Sequence, residues 1–419
     1  VTFRFLHTAD LHLDSPLRTL ALRDAELGSL IANATRAALV RMVDACLERQ
    51  VDALVIAGDL YDGELRSMAT PLFLTRQFQR LNEAGVAVFL VRGNHDALAT
   101  VTKHLTLPDN VTLFSARGEV KLLEGKGVAV HGISFPTGQV PGSLLPKFRG
   151  PVAGVANIGI LHTSLAGAEG HDVYAPCAVA DLAGHGFAYW ALGHIHKRQV
   201  HSTTPAVVMP GMPQGRDINE EGAKSATLVT LHDDGRVELE EVLTSIAEFR
   251  RLDVDLSGCA AMAEVPGRLR AALGAARDAS AADYLVVRPR LTGATALAAR
   301  LRRDADVLLA EAQAAAAETG RTLIDLVEQR ASLPAAAPET KAMAAGDPIA
   351  EMRASLQGAP TAELLATATA AVRELRAALP PELRDAFGSD DADMARLAAG
   401  LLAEGSEDVL ARLAAGEGE

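Results

Sequence analysis

The 419-residue sequence is poor in cysteine and in aromatic residues and has no long uninterrupted apolar run. Its three cysteines, Cys46, Cys177 and Cys259, are far apart and form no C-x-x-C pair, so neither a disulfide framework nor a thiolate zinc site is indicated. No apolar stretch approaches the roughly 18–20 residues that cross a bilayer. The start, "VTFRFLHTAD", has no charged region followed by a cleavable apolar one, so a cytoplasmic protein without membrane contact is expected. There is no G-x-x-x-x-G-K-[ST] loop, which excludes ATP binding of the P-loop kind. Positive charge is also scarce: the formal net charge is −13, with 22 Lys+Arg against 27 Asp+Glu in residues 1–250 and 18 against 26 in the remainder. A protein that wraps nucleic acid by itself usually carries a basic footprint, and this one does not. Metal ions would offset several carboxylates of the first part, so a polyanionic substrate is only weakly disfavoured. Histidine is missing after His232, which confines imidazole chemistry to the first part of the chain.

What the chain does have is apolar residues, 49% of the total and rich in alanine, in a length sufficient for one large core and a smaller domain. Up to about residue 250, short β-rich runs alternate with helical segments: "FRFL", a helix through "NATRAALVRMVDACLERQ", "ALVI", a helix near "LFLTRQFQRLNEAG", then "VAVFLV". From about 157 the runs "NIGIL", "YWAL", "AVVMP" and "ATLVTLH" follow with shorter connections, predicting a second, partly antiparallel set of strands. An α/β fold of two packed sheets with helices outside accounts for both sets. Residues 251–330 repeat the alternation on a smaller scale and predict a separate α/β module. A linker over 331–348 contains "LPAAAPETKAMAAGDP", and 349–419 reads as a helical tail. In that tail Leu364, Leu365, Ala368, Val372, Leu375 and Leu379 form one stripe, stopped by Pro380 and Pro381, and Met394, Leu397 and Leu401 form another. These stripes pack either on their own domain or on a partner.

The chemistry is concentrated at the ends of the apolar runs. "FRFL" leads into Asp10 and His12, "ALVI" into Asp59, "VAVFLV" into Asn94, His95 and Asp96, "NIGI" into His162, and "YWAL" into His194 and His196. Ligands bind at the carboxyl ends of strands in α/β sheets, so these side chains can converge on one edge. Gly58, Gly93 and Gly193 precede three of the polar residues, where the chain must turn sharply. Oxygen and nitrogen donors without a thiolate suit Mn, Fe, Zn or similar ions. The donors suffice for two metals, with a carboxylate as the natural bridge.

In order and type, D-x-H, GD, GNHD, H and GHxH resemble the calcineurin-like metallophosphoesterase superfamily. Within it, "LHTADLHLDSPL", "GHDVYAPC" and "PGMPQGR" resemble the bacterial DNA-repair exonuclease branch, the YhaO and SbcD type. The resemblance implies a four-layer metallophosphoesterase sandwich with a small capping module. It implies that Asp10, His12 and His196 hold one divalent ion and Asn94, His162 and His194 a second, with Asp59 bridging. Mn²⁺ is the foremost candidate, with Fe, Zn and Mg as alternatives. His95 would be the catalytic histidine, and Asp96 a candidate to orient it. Relatives outside the bacterial branch carry a further histidine where this chain has Asp62, so a second catalytic histidine is not expected.

His171, Asp172 and Tyr174 are candidates for either the substrate cavity or loop stabilisation. Arg18, Arg23, Lys197, Arg198 and Arg216 can meet DNA phosphates or remain solvated. His7 and His131 read as structural residues. The activity implied is dinuclear metal-dependent DNA exonuclease action in repair, with single-strand endonuclease action as a second mode. A phosphatase or a small-molecule or cyclic-nucleotide phosphodiesterase uses the same metals, and a non-catalytic scaffold is the third reading. The resemblance also implies an SMC-like ATPase partner docked on the C-terminal helices, and a homodimer.

Overall fold

The computed structural model describes residues 2–15, 25–62, 68–98, 107–165, 174–332, 360–379, 387–388 and 390–415. The chain begins with β1 (Phe3–Thr8), α1 (Ala25–Glu48), β2 (Ala53–Ala57), α2 (Ala69–Glu83), β3 (Ala87–Val91) and β4 (Val111–Leu113). It continues with β5 (Glu119–Leu123), β6 (Val128–Ile133), β7 (Ala156–His162), α3 (Val179–Ala183), β8 (Tyr189–Gly193), β9 (Gln199–Thr203), β10 (Ala206–Met209), β11 (Ser225–Leu231) and β12 (Val237–Leu243). One sheet has the order β12-β11-β1-β2-β3-β4 and another β5-β6-β7-β8-β10-β9. Each has four neighbouring parallel strands, β1 to β4 in one and β6, β7, β8 and β10 in the other. Antiparallel strands complete both sheets.

The strand pleat sends alternate residues to opposite faces. Phe5, Val55, Ala57, Phe89 and Val91 pack between the sheets with Val130, Ile158, Ile160, Tyr189 and Ala191. Leu6, Leu54, Ile56, Val88 and Leu90 face the helical layer, where Leu39, Met42, Val43, Leu74, Phe78 and Leu81 cover them. Burial on both faces explains why "ALVIA" and "AVFLV" are apolar throughout. Each fully buried Val, Leu, Ile or Phe contributes about 1.5–3 kcal/mol, so these cores hold the strand ends in place. The expected sandwich of two sheets flanked by helices is present. Its outer layer over the second sheet is mostly irregular chain, in which α3 and the turn Leu145–Lys147 help pack Phe135, Leu144, Phe148 and Leu182 near Leu161, Trp190 and Leu192. Helix α1 begins at Ala25 rather than Asn33, because "AELGSLIA" contains no proline to stop it.

Beyond these come β13 (Ala247–Asp255), α4 (Val265–Asp278), β14 (Tyr284–Thr292), α5 (Ala298–Arg303), α6 (Ala305–Thr319), β15 (Thr322–Ile324), β16 (Glu328–Gln329), α7 (Ala362–Ala378) and α8 (Asp391–Ala415). By contacts, one compact unit comprises Val1–Arg251, Arg277–Val287 and Arg321–Asp325, and the other Leu252–Ala276, Arg288–Gly320 and Leu326–Glu419. In the first unit Leu285 to Val287 of β14 pair in parallel with β15, and Val286 joins Ile218, Ala247 and Phe249 in a small core. In the second, Arg290 and Leu291 pair with β16.

Helix α7 is capped by Thr361, whose hydroxyl accepts from the Leu364 N–H, and it ends just ahead of Pro380. Leu365, Ala368 and Val372 pack on Met394, Leu397 and Ala398 of α8, whereas Leu364, Leu375 and Leu401 are exposed. The two stripes therefore meet each other in part. Residues 333–348 of the expected linker lie outside the described residues. No described helix is long and apolar enough to cross a membrane.

Candidate metal centre

Strands β1, β2 and β3 of one sheet and β7 and β8 of the other deliver their carboxyl ends to one place. Asp10, His12, Asp59 and His194 then adopt φ of 53°, 41°, 53° and 111°, values uncommon outside glycine. Backbone bonds hold these turns: Asp10 N–H donates to Gly58 O at 3.0 Å and His12 N–H to Asp59 O at 3.1 Å. Asp14, with φ 58°, anchors the first loop to the helical layer. Its carboxylate accepts from Arg36 Nε at 2.6 Å and from the Thr70 hydroxyl. Of the three glycines expected to turn the chain, only Gly58 has a positive φ. Gly93 and Gly193 serve close approach instead, since a Cβ on either would stand 2.2 Å from Asp59 Oδ1 or 2.1 Å from Ala57 O.

Single ligand atoms of Asp10, His12 and His196 lie within 4.8 Å of one another, as do those of Asp59, His162 and His194, and those of His12, Asp62 and His95. The hydrogen bonds around the rings identify which nitrogens carry lone pairs. His162 Nδ1 donates to Ala57 O at 2.9 Å, so a neutral ring turns the Nε2 lone pair toward Asn94 Oδ1 at 2.9 Å and Asp59 Oδ2 at 3.4 Å. His196 Nδ1 faces Glu220 Oε1 at 2.8 Å and His12 Nδ1 faces Asp62 Oδ1 at 3.5 Å, while their Nε2 atoms meet at 3.2 Å. Acceptors this close require a proton or a cation between them. The arrangement therefore fits divalent ions held by nitrogen and oxygen. Asp10 is oriented by accepting the His194 N–H at both oxygens, at 2.9 and 3.2 Å.

The electrostatics show that the buried carboxylates draw positive charge to the same spot, as a second proton on His162 when no cation is there. Burial would lower the His162 pKa, but the Asp59 and Asp10 carboxylates outweigh it and push it up to about 9. Burial would raise the Asp59 carboxyl, but His162 holds it well below its ordinary range. Burial raises Asp10 to about 6 against the pull of His162 and His196. His95 is different in kind: its side chain is 38% exposed, its backbone N–H donates to Asp59 Oδ1 at 3.1 Å, and its Nδ1 lies 3.4 Å from Asp62 Oδ1.

Two expectations need correction. Asp96 does not face the His95 ring: its buried carboxylate accepts from Tyr61 N–H and Gly93 N–H, both at 3.1 Å, and so braces two loops. The carboxylate beside His95 belongs to Asp62, which also accepts from the Ser15 hydroxyl at 2.6 Å. Nor is Arg216 a free phosphate contact, because its largely buried guanidinium is bound to Glu220 at 2.7 Å. Glu220 carries no mark in the sequence, since it closes a short 3-10 turn, Ile218–Glu220, that no strand end or motif announces. Burial would raise its pKa, but His196 and Arg216 hold it well below the usual carboxylate range.

Arg18, Arg23, His171 and Asp172 lie outside the described residues. Tyr174 sets its ring edge-on to His194, with centroids 5.4 Å apart. Lys197 is exposed, and Arg198 lies 4.0 Å from Glu241. His7 is structural: Nε2 donates to Leu192 O at 3.1 Å, Nδ1 accepts from the Tyr189 hydroxyl at 2.9 Å, and burial lowers its pKa to about 3. His131 likewise donates to Asn157 Oδ1 at 2.8 Å.

Residues 3–198 match the calcineurin-like phosphoesterase family, and residues 249–332 match the middle domain of the metallophosphoesterase YhaO. The chain is 41% identical over 230 residues to an uncharacterized metallophosphoesterase, YhaO, of Bacillus subtilis, covering 54% of this chain and 56% of that one. It is 26% identical over 234 residues to the DNA double-strand break repair protein Mre11 of Methanopyrus kandleri, covering 50% and 49%. It is 33% identical over 101 residues to the SbcD component of the nuclease SbcCD of Escherichia coli, covering 24% and 23%. The matched stretches thus span from about a quarter to just over half the length of these relatives.

Proposed function

We infer that the chain, whose residues 3–198 match the calcineurin-like phosphoesterase family, is a metal-dependent DNA exonuclease acting in repair. The family supports phosphoester hydrolysis, and the repair protein and nuclease component among the relatives support DNA as the ester. The observation that carries the reading is the pair of acceptor clusters, Asp10–His12–His196 and Asp59–His162–His194, with the solvent-facing His95 beside them. In this reading the first cluster holds one divalent ion, the second holds another together with Asn94, and Asp59 lies between. Mn²⁺ is the foremost candidate. Two such ions, when bound, polarise a phosphoryl oxygen and supply an ionised water as nucleophile.

The chain's own groups do the positioning and the proton transfer. Asp62 Oδ1, 3.4 Å from His95 Nδ1, orients the ring so that Nε2 delivers a proton to the leaving oxygen. Asp96 acts behind the site, keeping the Gly93 and Tyr61 loops in register through their N–H groups. The SMC-like ATPase implied by the resemblance would dock on the tail, where Leu364, Leu375 and Leu401 remain exposed.

The test is hydrolysis of end-labelled double-stranded DNA by the full chain in Mn²⁺, beside His95→Ala and beside small phosphomonoesters and phosphodiesters. Mn²⁺-dependent degradation of DNA that His95→Ala abolishes is expected. Turnover of the small esters alone would replace the nuclease with a phosphatase or small phosphodiesterase, and bound metal without any hydrolysis would leave a scaffold.

A further inference from the structure

Arg216 lies in the loop after β10, with its side chain 18% exposed. Its Nη2 is 2.7 Å from Glu220 Oε1, its backbone N–H donates to Glu220 Oε2 at 2.7 Å, and its Nη1 is 3.8 Å from Asp62 Oδ1. Each of those carboxylates faces histidine rings of the candidate centre. Glu220 takes His196 Nδ1 at 2.8 Å, and Asp62 faces His12 Nδ1 at 3.5 Å and His95 Nδ1 at 3.4 Å. We propose that Arg216 is a positioning residue that ties Asp62 and Glu220 into one frame and thereby sets the ring orientations of His12, His196 and His95. This rests on the reading of Asp10, His12 and His196 as a metal-holding group.

The physical case has two parts. Asp62 and Glu220 are mostly buried carboxylates that face different histidines of the candidate centre and both lie within 4 Å of the Arg216 guanidinium, and a buried charge without a partner is costly. A guanidinium can serve both because its donors fan out in a rigid planar fork, which a lysine ammonium cannot reproduce. The fork is also spent: one edge grips Glu220 and another nitrogen leans to Asp62, so the positive charge of Arg216 is neutralised inside the protein. A residue that recruits DNA phosphates needs its donors turned outward. With the carboxylates held, Glu220 engages Nδ1 of His196 and Asp62 faces Nδ1 of His12, so Nε2 of each ring keeps its lone pair for a cation.

The experiment uses the full chain and compares wild type, Arg216→Ala, Arg216→Lys, Glu220→Gln and the double variant that combines Arg216→Ala with Glu220→Gln. It measures Mn²⁺ binding by electron paramagnetic resonance, kcat and KM on a small phosphodiester, and the salt dependence of DNA binding. Arg216→Ala is expected to weaken Mn²⁺ binding and lower kcat by about 10–100-fold each, with KM nearly constant. Arg216→Lys should restore only a minor part, and Arg216→Ala combined with Glu220→Gln should cost little more than either alone. If Arg216→Ala is not folded by circular dichroism, the lysine variant decides. Wild-type Mn²⁺ affinity in the folded variant, with a salt slope reduced by about one phosphate contact, would overturn the inference and return Arg216 to the DNA surface. Failure of the wild-type chain to bind Mn²⁺ would instead overturn the metal reading, and this inference with it.

Discussion

Replacing Gly93 with alanine probes the close approach of the backbone to Asp59 in the candidate centre. A Cβ at this position would stand 2.2 Å from Asp59 Oδ1 and 2.8 Å from both Asp59 Cγ and His162 Cε1. Non-bonded heavy atoms settle at about 3.5–4.0 Å, so the carboxylate and the ring must retreat by about 1 Å. Neither has room. Asp59 is buried and accepts the His95 N–H at 3.1 Å, and His162 is bound behind by Ala57 O at 2.9 Å. Backbone conformation is no obstacle to alanine here, because Gly93 does not have a positive φ. A misplacement of about 1 Å near reacting groups costs about 10²-fold in rate, and overpacking costs about 1–3 kcal/mol in stability. The assay is kcat for Mn²⁺-dependent hydrolysis of a small phosphodiester, with thermal stability and Mn²⁺ content followed in parallel. Gly267→Ala, whose Cβ would meet nothing within 4 Å, serves as control. A Gly93→Ala protein with wild-type kcat and Mn²⁺ content would refute the role given to Asp59.

Other perturbations have equally defined outcomes. Asp62→Asn keeps the shape but removes the charge facing His12, His95 and Arg216; kcat should fall by about 10–100-fold with little change in KM, and an unchanged kcat would detach Asp62 from His95. His7 has a folded pKa lowered by burial to about 3, so between that value and 6.5 the unfolded chain binds the extra proton. Its contribution is complete above pH 6.5 and declines as pH falls, by about 2 kcal/mol at pH 5. Urea unfolding at pH 7.5 and 5 should therefore show a loss that shrinks by about that amount in His7→Gln, and an identical loss in both proteins would contradict the assignment. Asp14→Ala removes the partner of Arg36 and Thr70 and places alanine at φ 58°, so stability should drop by about 1–3 kcal/mol, with Asp14→Asn milder. Equal stability of Asp14→Ala and wild type in urea would show that the first loop does not depend on this anchor.

The parts of the fold that were legible in advance are those with a period or a run. "ALVI", "VAVFLV" and "YWAL" read as buried strands because a strand covered on both faces must be apolar throughout. The stripes of the tail were legible from helical spacing, but their pairing was not, since an apolar face does not name its partner. The acidic edge strand β12, Val237–Leu243, went unread because an exposed strand carries the same charged residues as a loop.

The candidate site divides in the same way. The sequence by itself determined where the candidate donors stand: Asp10, His12, Asp59, Asn94, His162, His194 and His196 each end an apolar run or follow it within a few residues, and strand ends in parallel sheets converge. Only the tertiary structure decided what orients them. Asp96 turns to two backbone N–H groups, Asp62 to two imidazoles, and Arg216 to Glu220 rather than outward. Local order along the chain fixes where a side chain starts, but the partner of a carboxylate or a guanidinium is whichever opposite charge folding buries within a few ångströms. For Asp62 one such neighbour, Arg216, comes from a loop more than a hundred and fifty residues away.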